Sequence, residues 1–175
     1  MTKKLIPAAA LLVLFAAFSV FSQDKAADYS GNWKLDLAKS EMGERSRVES
    51  MEMTVTQTAD ELTVERNAKM AEGQGGGMGR GGMAGGAGKM AYSLTGKETK
   101  APFGMGGEAK LKAMVGKGGM LTLNQERNIE TQMGAMMIKT VENWELSENG
   151  KTLTVSSSTE TPRGPRNQKM VFTKQ

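Results

Sequence analysis

Trp144-Glu145-Leu146-Ser147-Glu148-Asn149-Gly150-Lys151-Thr152-Leu153-Thr154-Val155 reads as two strands and the turn that joins them. Trp144 and Leu146 fall on one face of the first run, Leu153 and Val155 on one face of the second, with polar residues between. Successive side chains of a strand point to opposite faces, so this alternation buries one face and wets the other. Asn149-Gly150 supplies the positive φ that a tight hairpin turn requires.

The same rhythm recurs along the chain. Trp33, Leu35 and Leu37 alternate with Asn32, Lys34 and Asp36, and Met51, Met53 and Val55 with Glu52, Thr54 and Thr56. Leu62 and Val64 follow a turn at Ala59-Asp60. Met90, Tyr92 and Leu94 end at Gly96-Lys97. Ala109, Leu111, Ala113 and Val115 lead through Gly116-Lys117-Gly118-Gly119 to Leu121 and Leu123, and Met170 and Phe172 close the chain. No window of helical length carries a 3.6-residue apolar stripe, and residues 38–47 offer at most one helical turn within a polar loop. Roughly eight to ten short strands joined by hairpins predict an all-β, up-and-down antiparallel barrel. An outer-membrane barrel needs aromatic girdles at both interfaces. Past the leader the aromatics are Tyr29, Trp33, Tyr92, Phe103, Trp144 and Phe172, too few for two girdles, so the barrel is expected to be soluble.

One segment departs from the pattern. Ten of the sixteen residues from 73 to 88 are glycine, and glycine loses the most backbone entropy on ordering. The expectation is a flexible Gly/Met-rich loop over 68–89. Gly77, Gly79 and Gly82 spell GxGxxG there, but in such a tract the match carries no information, and no helix follows to receive a dinucleotide. Arg80-Gly81-Gly82, a single copy, makes no case for nucleic acid.

What is absent excludes more. The chain has neither cysteine nor histidine. That removes disulfide staples, Ser-His-Asp and Cys-His nucleophilic systems, imidazole bases and ordinary zinc sites. No cofactor and no catalytic residue is expected. Glu126, Glu130, Glu142 and Glu145 are the remaining acid–base candidates, and each is expected on a solvated strand face. Soft thioether ligands suit Cu(I), so Met78 and Met83 and their neighbours raise copper binding as a minor alternative to methionine's commoner use as flexible apolar filler.

The N-terminus predicts export. Lys3-Lys4 precede a charge-free run, Leu5–Phe18, of 14 residues, short of the ~20 that span a bilayer. Small Ser22 and polar Gln23-Asp24-Lys25 then mark a cleavage site. Residues 1–22 are read as a signal peptide and 23–175 as one domain, soluble in a periplasm or outside the cell, with no integral span after cleavage. Removal of Lys3 and Lys4 halves the formal charge of +4, which weakens any case for an acidic partner.

Gly31-Asn32-Trp33-Lys34-Leu35 resembles the Gly-x-Trp signature that opens the first strand of lipocalin-like proteins, the calycin-type barrels. The chain resembles more closely small exported bacterial proteins of that type, through Gly31–Leu35, Ala38-Lys39-Ser40, Trp144-Glu145-Leu146 and Gly150–Val155. The resemblance implies a barrel whose tryptophan closes one end and whose interior holds a small apolar ligand. The family's Thr-Asp-Tyr loop, and an arginine near the end that packs on the tryptophan, are not recognisable. Trp33, Met51, Met53, Met90, Tyr92, Leu111 and Trp144 are the expected ligand-lining residues, Ala109 and Ala113 leaving space beside them. The rival reading is a barrel filled by its own side chains that presents its loops to an envelope protein partner.

Overall fold

A computed structural model describes residues 25–43, 46–71, 88–103, 107–131, 134–161 and 164–175. Ten strands are present among these residues: β1 (Gly31–Leu35), β2 (Val48–Gln57), β3 (Glu61–Met70), β4 (Lys89–Ser93), β5 (Thr99–Phe103), β6 (Gly107–Val115), β7 (Leu121–Thr131), β8 (Gly134–Leu146), β9 (Thr152–Thr161) and β10 (Gly164–Lys174). They form one antiparallel sheet in the order β4-β3-β2-β1-β10-β9-β8-β7-β6-β5. Every strand is thus hydrogen-bonded to its sequence neighbour except across β4–β5, and β1 joins the two ends of the chain by pairing with both β2 and β10. The result is a nearly closed up-and-down barrel. Thr99 Oγ1 donates to the Ala91 carbonyl at 2.6 Å across the seam between β4 and β5. Pro102 on β5 lacks an N–H, which suits a strand with a free edge.

β5 is absent from the alternation seen in the sequence, because five residues around a proline give too short a pattern. Residues 68–70, expected in the loop, extend β3: Ala68 pairs with Met51 and Lys69 with Ser50 of β2, a partner strand long enough to hold them. β4 likewise begins at Lys89. Residues 72–87 of the Gly/Met-rich segment and the leader at 1–22 lie outside the described residues. Among the described residues 3₁₀ turns occur at Leu37–Lys39 and at Lys117–Gly119. Among the described residues no helix is long and apolar enough to cross a membrane.

Residues 25–30 close one end of the barrel. Tyr29 is fully buried, and its hydroxyl donates to the carbonyls of Gly119 (3.2 Å) and Trp144 (3.0 Å). Trp33 Nε1 donates to the Tyr29 carbonyl at 3.0 Å, and Gln57 Nε2 to that of Ala27 at 2.8 Å. The tyrosine ring meets Trp144 edge-on at 5.7 Å. Gly119 has φ of 81°, and a Cβ there would stand 2.7 Å from the Ala27 nitrogen, so only glycine lets the plug seat. Below the plug Trp33, Phe172, Leu62, Leu121, Leu123, Leu153 and Val155 fill the interior.

Candidate functional site

Strand parity carries the interior on from this apolar half into a polar one. Leu62 and Val64 of β3 point inward, so Arg66 does too. Leu121 and Leu123 of β7 are followed on the same face by Gln125 and Arg127. On β8, Trp144 shares its face with Glu142, Thr140 and Ile138. Gln125, Arg127, Thr140 and Glu142 are all buried, and the Arg66 side chain is nearly so. Glu142 therefore corrects the expectation of a solvated carboxylate: it lies two residues before an inward tryptophan and shares its side of the pleat. Glu126 and Glu145 are solvent-facing, Glu126 beside Lys139. The side chain of Glu130 lies outside the described residues.

Arg66 grips Glu142 through both oxygens, Nη1 to Oε1 at 3.0 Å and Nη2 to Oε2 at 2.6 Å. Trp144 Nε1 adds a third bond to Oε2 at 2.9 Å, and the Arg66 guanidinium stands 5.7 Å from the Trp144 ring centre. Burial alone would raise the Glu142 pKa. The opposing charge of Arg66, the Arg66 and Trp144 hydrogen bonds and the charge of Arg127 outweigh it and hold the carboxyl below the usual glutamate range. A bidentate arginine–carboxylate pair is the strongest form of this contact, so Glu142 has both its oxygens committed.

Arg127 is placed differently. Its residue is 5% exposed, its guanidinium lies 4.7 Å from the centre of the Phe103 ring, and its neighbours across the ladder are Ala109 and Ile138. No carboxylate or hydrogen-bond acceptor among the described residues pairs with it, and its Nε is buried without a partner. Burial lowers its pKa, partly offset by Tyr92 and Glu142 nearby. Close by, Gln125 Nε2 (3.1 Å) and the Tyr92 hydroxyl (3.8 Å) both donate to Met90 Sδ, a weak acceptor. Burial pushes the Tyr92 hydroxyl well above its ordinary value, so it stays neutral.

Of the residues expected to line a ligand site, Trp33, Leu111 and Trp144 are at most 1% exposed, Trp33 and Trp144 in the plugged half. Met53 is the cross-strand partner of both Trp33 and Arg66, and Met51 that of Ala68. Met90 and Tyr92 adjoin Gln125 in the polar half. Arg66, Phe103, Gln125, Arg127 and Thr140 were not anticipated, although the two-residue period places all but Phe103 on an inward face. Ala109 and Ala113 are buried, and Ala109 pairs with Ala101, giving that wall of the barrel short side chains.

Two concavities formed by described residues open on the surface. One of about 520 Å³ lies on β8–β10 and is lined by Asn143, Ser156, Ser158, Asn167 and Lys169. The other, about 240 Å³, is at the plugged rim beside Gln57, Asp60 and Leu94. Met78 and Met83 lie outside the described residues. Met114 and Met137 are solvent-facing on β6 and β8. No protein-family model matches the chain, and no curated protein does.

Proposed function

We propose that this chain is an exported, non-catalytic barrel of lipocalin-like type that holds a small, largely apolar ligand in the half of its interior away from Tyr29. The observation that carries the reading is the division of one continuous interior. One half is plugged and filled with large side chains, while the other places Gln125, Arg127, Thr140 and Glu142 at positions that strand parity makes inward. A barrel packed only for stability would put apolar residues there, because buried polar groups cost free energy unless fully bonded. Ligand space comes from the short Ala101–Ala109 wall and from Met51, Met53 and Met90, whose unbranched side chains change rotamer at low cost. Lys174 Nζ lies 5.4 Å from the Trp33 ring centre, a cation on that ring from the last strand where the lipocalin-like family has an arginine. A clamped Glu142 and a neutral Tyr92 suit binding rather than proton transfer.

Trp144 bonds directly to Glu142, so its fluorescence reports on the site. Titration with a panel of long-chain and aromatic hydrophobes is expected to change Trp144 emission saturably in a Trp33→Phe background. A panel without effect sinks the carrier reading.

A second reading is a filled barrel that engages an envelope protein. Both surface concavities favour it, since neither lies in the interior. Its test is capture of a defined partner that is lost when Ser158 and Asn167 in the β8–β10 groove are replaced by arginine.

A further inference from the structure

We infer that the ligand of this interior carries a single negative charge on an apolar body, and that Arg127 is the group that receives it. The inference rests on the ligand-binding reading above and adds the chemistry of the ligand's head. An isolated buried cation is costly, and buried charges are ordinarily paired. Arg66 meets that rule through Glu142, with both carboxylate oxygens engaged. Glu142 is held by Arg66 and Trp144 and makes no ion pair with Arg127, which has no carboxylate partner among the described residues. Among the described residues the buried set is thus two guanidinium groups against one carboxylate, a surplus of one positive charge. One monoanion neutralises it; a dianion would leave the opposite surplus.

The surroundings of Arg127 describe the rest of the ligand. Phe103, Ala109 and Ile138 present apolar surface around the guanidinium, and the short Ala109 side chain leaves room beside it. Gln125 and Tyr92 hold their donors on a methionine sulfur, from which an anionic oxygen would draw them as a far better acceptor. Three donors of this kind around an apolar floor suit a carboxylate at the end of a hydrocarbon or aromatic body.

Calorimetric titration of the chain with octanoate, dodecanoate and hexadecanoate, with the matching alcohols, and with dodecyl phosphate tests this. The best-fitting acid is expected to bind about tenfold or more tighter than its alcohol, since a charge-assisted pair is the stronger bond. Dodecanoate is expected to outbind dodecyl phosphate. Arg127→Met should bring the acid down to the affinity of the alcohol and leave the alcohol unchanged. An alcohol that binds as tightly as its acid overturns the charge inference while the interior site stands. Tighter binding of the phosphate overturns the single-charge assignment. If nothing in the series binds, the ligand site falls and this inference with it. Should Arg127→Met fail to fold, the acid-to-alcohol ratio of the unaltered protein decides alone.

Discussion

Around Tyr29 each buried polar side chain has a protein partner: a hydroxyl shared between two carbonyls, an indole N–H on a third, a glutamine amide on the plug. Around Arg127 the matching stops. The two buried side-chain nitrogens without partners among the described residues, Arg66 Nε and Arg127 Nε, both lie in the polar half. The two halves share strands, so the difference lies in side chains, not in backbone. A plug that only has to hold can satisfy every group with protein atoms. A site that must receive something keeps a group in reserve, and the fold is less stable for it.

The largest expected effect comes from splitting the Arg66–Glu142 pair. Glu142→Ala leaves a buried guanidinium and the Trp144 N–H without their acceptor, and is expected to lower unfolding free energy by about 3–5 kcal/mol in urea denaturation. Replacing both partners, Arg66→Met with Glu142→Leu, is expected to restore most of that loss, since matched apolar residues often equal a buried pair. A double variant as unstable as Glu142→Ala would show that this pair belongs with the plug. The pair also sets the acid limb of stability. Because the folded pKa of Glu142 lies below its ordinary 4.5, its contribution is full above that value and is lost as pH falls through the folded pKa. Glu142→Gln should flatten this part of the profile.

The plug is next in size. Tyr29→Phe removes the hydroxyl that the Gly119 and Trp144 carbonyls share, Gly119 keeping the Ala27 N–H, and is expected to cost about 1–3 kcal/mol, read from the urea midpoint. Burial pushes the Tyr29 hydroxyl up to about 12 from its ordinary 10.0. A raised folded pKa gives stability that is complete below 10.0 and declines as pH rises toward about 12. The phenylalanine variant should lose less stability than the parent across that alkaline window. Equal losses would place the alkaline sensitivity elsewhere.

The smallest effect, and the one of opposite sign, belongs to Arg127. Truncation of a paired core group destabilises, but Arg127→Met removes a buried charge that no carboxylate bonds among the described residues, and keeps an unbranched apolar stem. Ligand-free protein carrying it is expected to be as stable as the parent or about 1 kcal/mol more stable in the same denaturation series. A loss comparable to that of Glu142→Ala would mean that Arg127 is a structural group after all.

The barrel was legible because its apolar alternation is strong wherever the interior is apolar: Trp33-x-Leu35, Met51-x-Met53-x-Val55, Leu121-x-Leu123. The candidate site was obscured for the same reason. Where the interior turns polar, both faces of a strand read as polar, and Glu142 or Arg127 looks like any solvated charge. The information was nonetheless present, since Glu142 stands two residues from Trp144 and Arg127 four from Leu123, and the pleat fixes their side. Extending each apolar run by its own period, regardless of residue type, finds Arg66, Gln125, Arg127, Thr140 and Glu142. Phe103 was beyond that reach, because β5 is short and interrupted by Pro102. The plug was hidden too: Tyr29 precedes the first strand, and its bonds to Gly119 and Trp144 link positions that only the closed barrel brings together.

Native mass spectrometry of the protein, purified without detergent from the cells that make it, tests the central claim most directly. The division of the interior predicts a second species heavier by one small molecule, extractable into organic solvent as an acid and absent from Arg127→Met prepared in parallel. A bare polypeptide mass from both preparations would contradict it.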